Sequence, residues 1–207
     1  MDVPMGNGNK TLLLDFDGVL CKGRFYEKTL LPNHSEIYDW IQMNIFGNRE
    51  MVRDWMRNRV NSAEINELIA KNTGIEWNFL NGLYEESIRR MKLEKEAIDL
   101  AESLKSSGKK IGIVTDNMDI FTKITIPSHQ LDTLFDVIIN SADHGILKKD
   151  DNGKLFDIAL ATLGEKIENS LMIDDSESTI ELYKKKGGYG FIYRDAAELK
   201  SFLRTQK

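Results

Sequence analysis

Five short apolar runs, separated by amphipathic stretches, set the strongest limit on what this chain can fold into. They are TLLL (11–14), KIGIVT (110–115), FDVIIN (135–140), SLMI (170–173) and GFIY (190–193). Each is rich in leucine, isoleucine or other strand formers and bounded by Gly, Asp or Asn, the pattern of strands buried on both faces. Between them, LEKEAIDLAESLKSSG places Ala97, Ile98, Ala101 and Leu104 on one helical face and stops at Gly108. KLFDIALATLG and ESTIELYKKKGG behave likewise, stopping at Gly164 and Gly187. Strands alternating with helices predict an α/β fold built on a doubly wound parallel sheet.

The first and second runs are roughly ninety residues apart, far more than one crossover requires. That interval is helical in pattern. SEIYDWIQMNIFG sets Ile37, Trp40, Ile41 and Ile45 on one stripe, with Ser35 as N-cap and Gly47 as stop. REMVRDWMRNRV, SAEINELIAKNTG and EWNFLNGLYEESIRRM continue in the same period. The expected organisation is a discontinuous core, residues 11–24 and 93–207, interrupted by a small all-helical domain over 25–92. Residues 1–10 read as a polar tail without an apolar signal core.

Composition narrows the function classes. The 207-residue chain is 41% apolar and 29% charged, ordinary for a globular protein. A net charge of -5 argues against bulk nucleic-acid binding. No apolar run approaches the length of a membrane span. The single cysteine, Cys21, excludes an internal disulfide and fits a reducing compartment, so a cytoplasmic location is expected.

In a doubly wound sheet, functional groups gather at the carboxyl ends of the strands. Those ends carry Asp15 and Asp17 after the first strand, Thr115, Asp116 and Asn117 after the second, and Asp174 and Asp175 after the fourth. The loop SADHGILKKDD adds Lys148 and Lys149. So many carboxylates raise one another's pKa when close together. A hard divalent cation with oxygen ligands relieves that conflict, and Mg²⁺ suits a few carboxylates plus phosphate or water.

These residues resemble the haloacid dehalogenase (HAD) superfamily in four motifs that occur in the family's order. They are LLLDFDGVL, IGIVT ending at Thr115, GILKKDDNGKLFDIAL, and SLMIDD. The resemblance implies a Rossmann-like HAD core with an inserted helical cap, of the group that includes phosphoglycolate phosphatases and β-phosphoglucomutases. It implies that Asp15 is a nucleophile forming an aspartyl-phosphate and that Asp17 is the general acid and base. Thr115, Asp116, Asn117 and Lys148 are then candidates for contacting substrate and phosphate. Asp15, the backbone carbonyl of Asp17, Asp174 and Asp175 would hold Mg²⁺. Members that remove halide lack the second acid, because a halide leaves without a proton; Asp17 therefore favours a phosphohydrolase acting on a small phosphorylated metabolite. A phosphotransferase or mutase sharing the intermediate is the alternative, and a phosphate-gated binding protein is a second one. The sequence leaves oligomeric state open.

Two departures from the family pattern bear on the site. Lys149 stands where proline usually follows the motif lysine, and Lys148 keeps the expected spacing from Gly145. Asp116 separates Thr115 from Asn117, placing an extra acid nearby. The remaining conspicuous residues have simpler readings. Cys21 is expected to pack as a small residue, and His34, His129 and His144 lack metal-ligand spacing and are expected on the surface. Trp40, Trp55 and Trp77 fall on apolar stripes and are expected in the helical core. Arg49, Arg53 and Arg57 share one helix face balanced by Glu50 and Asp54, which reads as a solvated face. Lys22 and Arg24 lie in a segment that borders substrate in the resembled family.

Overall fold

The computed structural model describes residues 10–205, so the expected tail, Lys10 excepted, lies outside the described residues. Five strands form one parallel sheet: β1 (Thr11–Leu14), β2 (Lys110–Thr115), β3 (Val137–Asn140), β4 (Ser170–Asp174) and β5 (Tyr189–Ile192), in the order β3-β2-β1-β4-β5. The central strand pairs on both edges in register, Leu13 with Gly112 on one side and with Met172 on the other.

Helices α1 (Ser35–Ile41), α2 (Arg49–Met56), α3 (Ser62–Thr73) and α4 (Trp77–Arg89) fall between β1 and β2. α5 (Lys95–Ser106) leads into β2; α6 (Ile126–Ser128) and α7 (Leu131–Leu134) lead to β3. α8 (Ser141–His144) and α9 (Lys154–Leu163) precede β4, α10 (Glu177–Lys185) precedes β5, and α11 (Ala196–Thr205) closes the fold. The α/β class and parallel sheet are those the sequence predicts.

The alternation of side chains along β1 divides the core into two layers. Leu12 and Leu14 join Ile111, Ile113, Leu171 and Ile173 on one face, where the apolar cluster runs on through α5 into α1–α4. Leu13 faces the other way with Val114 and Met172, against Leu155, Phe156 and Leu160 of α9 and Ile180 and Tyr183 of α10. Full burial of a leucine-sized side chain stabilises by about 1.5–3 kcal/mol, so both faces matter to the fold.

The two chain segments that flank the helices α1–α4 meet. Glu94 N donates to the Leu20 carbonyl at 2.8 Å, and Cys21 bridges antiparallel to Leu93. Between these segments, Phe25, Phe46, Trp55 and Tyr84 form an aromatic cluster with ring centroids 5.5–6.2 Å apart.

Several local expectations are corrected. His34, not Ser35, occupies the N-cap of α1 and makes no side-chain cap bond. Gly47 does not end that helix in a left-handed conformation; α1 instead widens into a π turn over Gln42–Phe46, closed by Gly47 N to the Gln42 carbonyl at 2.9 Å. β5 begins at Tyr189 and ends at Ile192, and β3 begins at Val137, just after Asp136, whose carboxylate accepts from Ile111 N. Leu100 takes the fully inward position on α5 while Ile98 is only partly buried. Trp55 is fully buried and Trp40 packs against the cluster, but Trp77, at the exposed start of α4, is half-buried.

Candidate active site

The carboxyl ends of β1, β2 and β4 converge, as a parallel sheet requires, on a cavity of about 290 Å³. Asp15, Asp17, Asp116, Lys148, Asp174 and Asp175 line it. Asp15 follows the last β1 residue, held by its backbone N–H to the Ile173 carbonyl at 2.9 Å. The chain then turns sharply at Gly18, whose φ of 79° is open mainly to glycine. A Cβ at Gly18 would lie 2.2 Å from Asp175 Oδ2, so the glycine also lets β1's loop approach β4's acid.

Lys148 is the cation inside the site. Its Nζ donates to Asp15 Oδ2 and to Asp174 Oδ2, each at 2.7 Å, and the residue is 4% exposed. Its backbone N–H donates to Asp116 Oδ1 at 2.7 Å. Lys149 also lines the cavity, but at its exposed edge, where its Nζ donates to Ser178 Oγ at 2.9 Å. Burial alone would strip Lys148 of its proton, but Asp15, Asp174 and Asp116 hold its pKa above the ordinary lysine value. Asp174 serves two purposes: its other oxygen accepts from Ser176 N at 2.8 Å, fixing the start of α10.

The acids are poorly compensated by one lysine. Burial, reinforced by Asp174 and opposed by Lys148, pushes Asp15 up to about 7. Asp175 is raised by burial and by Asp174, and Asp116 by burial. Asp15, Asp174 and Asp175 each place one carboxylate oxygen within 4.8 Å of the others. Three hard oxygen donors so close, two of them on carboxyls driven toward protonation, fit a divalent cation of the Mg²⁺ type.

Asp17 is set apart from that trio. Its Oδ2 accepts from Asn117 Nδ2 at 2.9 Å. Part of its surface opens on the cavity, but loss of water around the carboxyl, opposed by Lys148 and reinforced by Asp175, raises it to about 6. Asn117 is buried rather than part of the cavity wall, and its own N–H donates to Ser141 Oγ at 2.9 Å. Ser141 Oγ in turn donates to the Met56 carbonyl of α2 at 2.7 Å.

Thr115 ends β2 fully buried, and its Oγ1 finds no hydrogen-bond partner among the described residues. The wall next to it is contributed by Asp116.

Sequence reasoning missed three groups. Asp119 accepts from Ser62 N at 3.0 Å, Ser62 Oγ at 2.5 Å, Trp55 Nε1 at 3.3 Å and Lys123 Nζ at 2.6 Å, pinning the insert to the loop after β2. Arg57 is not on a solvated face: it clasps Asp150 through Nε at 2.9 Å and Nη2 at 3.0 Å, linking α2 to the loop that carries Lys148. Ser141 is the third. Arg57 was marked only by its spacing from Arg49 and Arg53 along one helix face. Cys21 is buried as expected, its thiol pushed up to about 11 chiefly by burial.

Comparison with known proteins agrees with this geometry. The haloacid dehalogenase-like hydrolase family matches residues 9–182, and the chain belongs to that family. No curated protein sequence matches it. A HAD family enzyme from Bacteroides thetaiotaomicron, in complex with magnesium and inorganic phosphate, is 18% identical with a TM-score of 0.66, over 93% of this chain and 99% of that one. A predicted HAD-like hydrolase from Porphyromonas gingivalis is 16% identical with a TM-score of 0.71, over 95% and 98%. L-2-haloacid dehalogenase from Xanthobacter autotrophicus is 14% identical with a TM-score of 0.65, over 88% and 76%. No helix among the described residues is long and apolar enough to cross a membrane.

Proposed function

We propose that this hydrolase is a Mg²⁺-dependent phosphatase acting on a phosphomonoester. The observation that carries the reading is Asp17. Expelling a halide calls for no proton, whereas expelling an alkoxide does, and Asp17 supplies an acid raised to about 6 at the mouth of the site. A Bacteroides relative forms a complex with magnesium and inorganic phosphate, and the present site offers oxygen donors for a hard cation beside a buried lysine.

In the proposed cycle an Asp15 oxygen attacks phosphorus and the bond to the leaving oxygen breaks, giving an aspartyl-phosphate. The leaving oxygen takes the proton of Asp17. The Asp17 carboxylate then removes a proton from water, whose oxygen attacks phosphorus and releases Asp15 and inorganic phosphate. Asn117 holds Asp17 in place for both transfers. Lys148 offsets charge on Asp15 and on the phosphoryl group. Asp15, Asp174 and Asp175, with the Asp17 carbonyl, would hold Mg²⁺, which when bound keeps Asp15 ionised and offsets phosphoryl charge. The helical insert over 25–92 acts as the cap.

Release of phosphate from a panel of phosphomonoesters, with Mg²⁺ and with chelator, tests this reading. Metal-dependent release abolished by Asp15→Asn supports it. Dechlorination of 2-chloropropionate without any phosphate release would overturn it.

A further inference from the structure

A second chamber, of about 510 Å³, opens directly from the catalytic cavity and shares Asp17, Gly18 and Met56 with it. Its walls are mainly apolar: Phe25, Phe46, Val52, Met91 and Met118 line the space beyond Asp17, with Lys22, Arg24 and Gln42 among them. A group leaving from Asp17's side of the phosphorus enters this space. Its size falls within the range of small-molecule sites, and such a lining favours a flat, polarisable body, since methionine sulfur and aromatic edges both pack well on rings.

Among the polar groups of the lining, Gln42 stands apart. The π turn at the end of α1 brings Gln42 and Phe46 to the chamber together. π turns inserted into helices recur at functional sites because they redirect side chains. Gln42 Nε2 is buried and has no hydrogen-bond partner among the described residues. A buried amide donor without a partner is costly, and a rotation of the Gln42 side chain would turn it to an acceptor brought into the chamber. The two cations at the rim are engaged elsewhere. Lys22 lies 3.7 Å from Glu94 and over the ring of Tyr193, and Arg24 bonds the Tyr38 hydroxyl.

We propose, resting on the phosphatase reading above, that the substrate is the phosphate ester of an aromatic or similarly ring-bearing apolar alcohol with one acceptor oxygen placed for Gln42. A sugar phosphate or nucleotide fits poorly, because its several hydroxyls would be desolvated against methionine and phenylalanine, while Lys22 and Arg24 already have partners on the protein.

The test compares initial rates with three kinds of phosphate at fixed Mg²⁺. Acetyl phosphate, too small to fill the chamber, reports the hydrolase itself; if none of the three compounds releases phosphate, the phosphatase reading fails, whatever the chamber does. Benzyl phosphate and glucose 6-phosphate are both esters of primary alcohols and differ in the body presented to the chamber. The expected kcat/KM for benzyl phosphate is at least ten-fold higher. Equal or reversed values, with acetyl phosphate turned over, would overturn the proposal. Among the three methoxybenzyl phosphates, at least one isomer should exceed benzyl phosphate, and Gln42→Leu should erase that excess. An excess that survives the substitution removes Gln42 from the proposal. Binding of benzylphosphonate, followed through the fluorescence of Trp55 behind Phe25 and Phe46, reports the chamber independently of turnover.

Discussion

Asn117 donates its side-chain amide to Asp17 across 2.9 Å, joining two residues one hundred positions apart. The bond favours the ionised form of Asp17 and fixes its carboxyl at the junction of the two cavities. Asn117→Ala removes a donor without touching the nucleophile or the acid trio. The expected result is a kcat lower by about ten- to a hundred-fold, the range in which proton-transfer geometry acts. The acid limb of the pH–rate profile should also move to higher pH, a shift that loss of packing alone would not produce. Rates measured from pH 5 to 9 check both.

Gly18 and Asp175 depend on each other in a different way. Alanine at Gly18 would strain a φ of 79° and drive its Cβ into Asp175 Oδ2. Gly18→Ala is therefore expected to lose most of its Mg²⁺ affinity, measured by titration calorimetry, along with about 1–2 kcal/mol of stability. Retention of wild-type metal affinity would remove Asp175 from the ligand set.

What could be read in the sequence, and what could not, follows from how far apart the interacting groups lie. Asp15 and Asp17 declare themselves because a strand, two acids and a glycine turn are contiguous. The five strands are equally visible, since burial on both faces writes itself as an unbroken apolar run. The partners that orient these groups are remote: Asp119 meets Ser62 across 57 positions and Arg57 meets Asp150 across 93. No local period encodes such a pair. The π turn was hidden for another reason: SEIYDWIQMNIF keeps a helical pattern, and one extra residue per turn leaves little trace in it.

Arg57 and Asp150 form a two-pronged ion pair, partly shielded from water, with side chains 16% and 31% exposed. Asp150 also accepts from Leu147 N at 3.0 Å, so its removal disturbs the Lys148 loop as well as the pair. Asp150→Ala should cost about 1–2 kcal/mol and Arg57→Ala about half as much, with a double-mutant coupling near 0.5–1 kcal/mol. Urea unfolding of the four proteins in the cycle measures it. A coupling of zero would mean that the pair does not hold the insert to the loop.

Asp119 carries the opposite sign of shift from the active-site acids. Burial raises its pKa, but the bonds from Lys123 and Ser62 outweigh burial and hold it below the ordinary aspartate value. An acid whose folded pKa is depressed adds stability above its unfolded pKa and loses it as pH falls through the folded one. Asp119→Asn should therefore be clearly less stable than wild type at pH 7, by about 1–3 kcal/mol. The gap should shrink below about pH 4, where an aspartate without these bonds is protonated. Thermal melts of both proteins between pH 2.5 and 7 follow the gap directly.

The active-site acids predict the reverse trend at higher pH. Asp15 is raised to about 7 and Asp17 to about 6, with Asp116 and Asp175 shifted the same way. The folded state thus binds more protons than the unfolded state between the ordinary aspartate pKa and about 7, so stability rises as pH falls through that window. Metal-free protein should melt at a higher temperature at pH 5.5 than at pH 8. Millimolar Mg²⁺ should raise the pH 8 melting temperature more than the pH 5.5 one, because protons and the cation compete for the same carboxylates. The difference between the two Mg²⁺-induced shifts is the informative quantity. If both shifts are equal, the cation does not bind through Asp15, Asp174 and Asp175, and the acids must find their compensation in Lys148 alone.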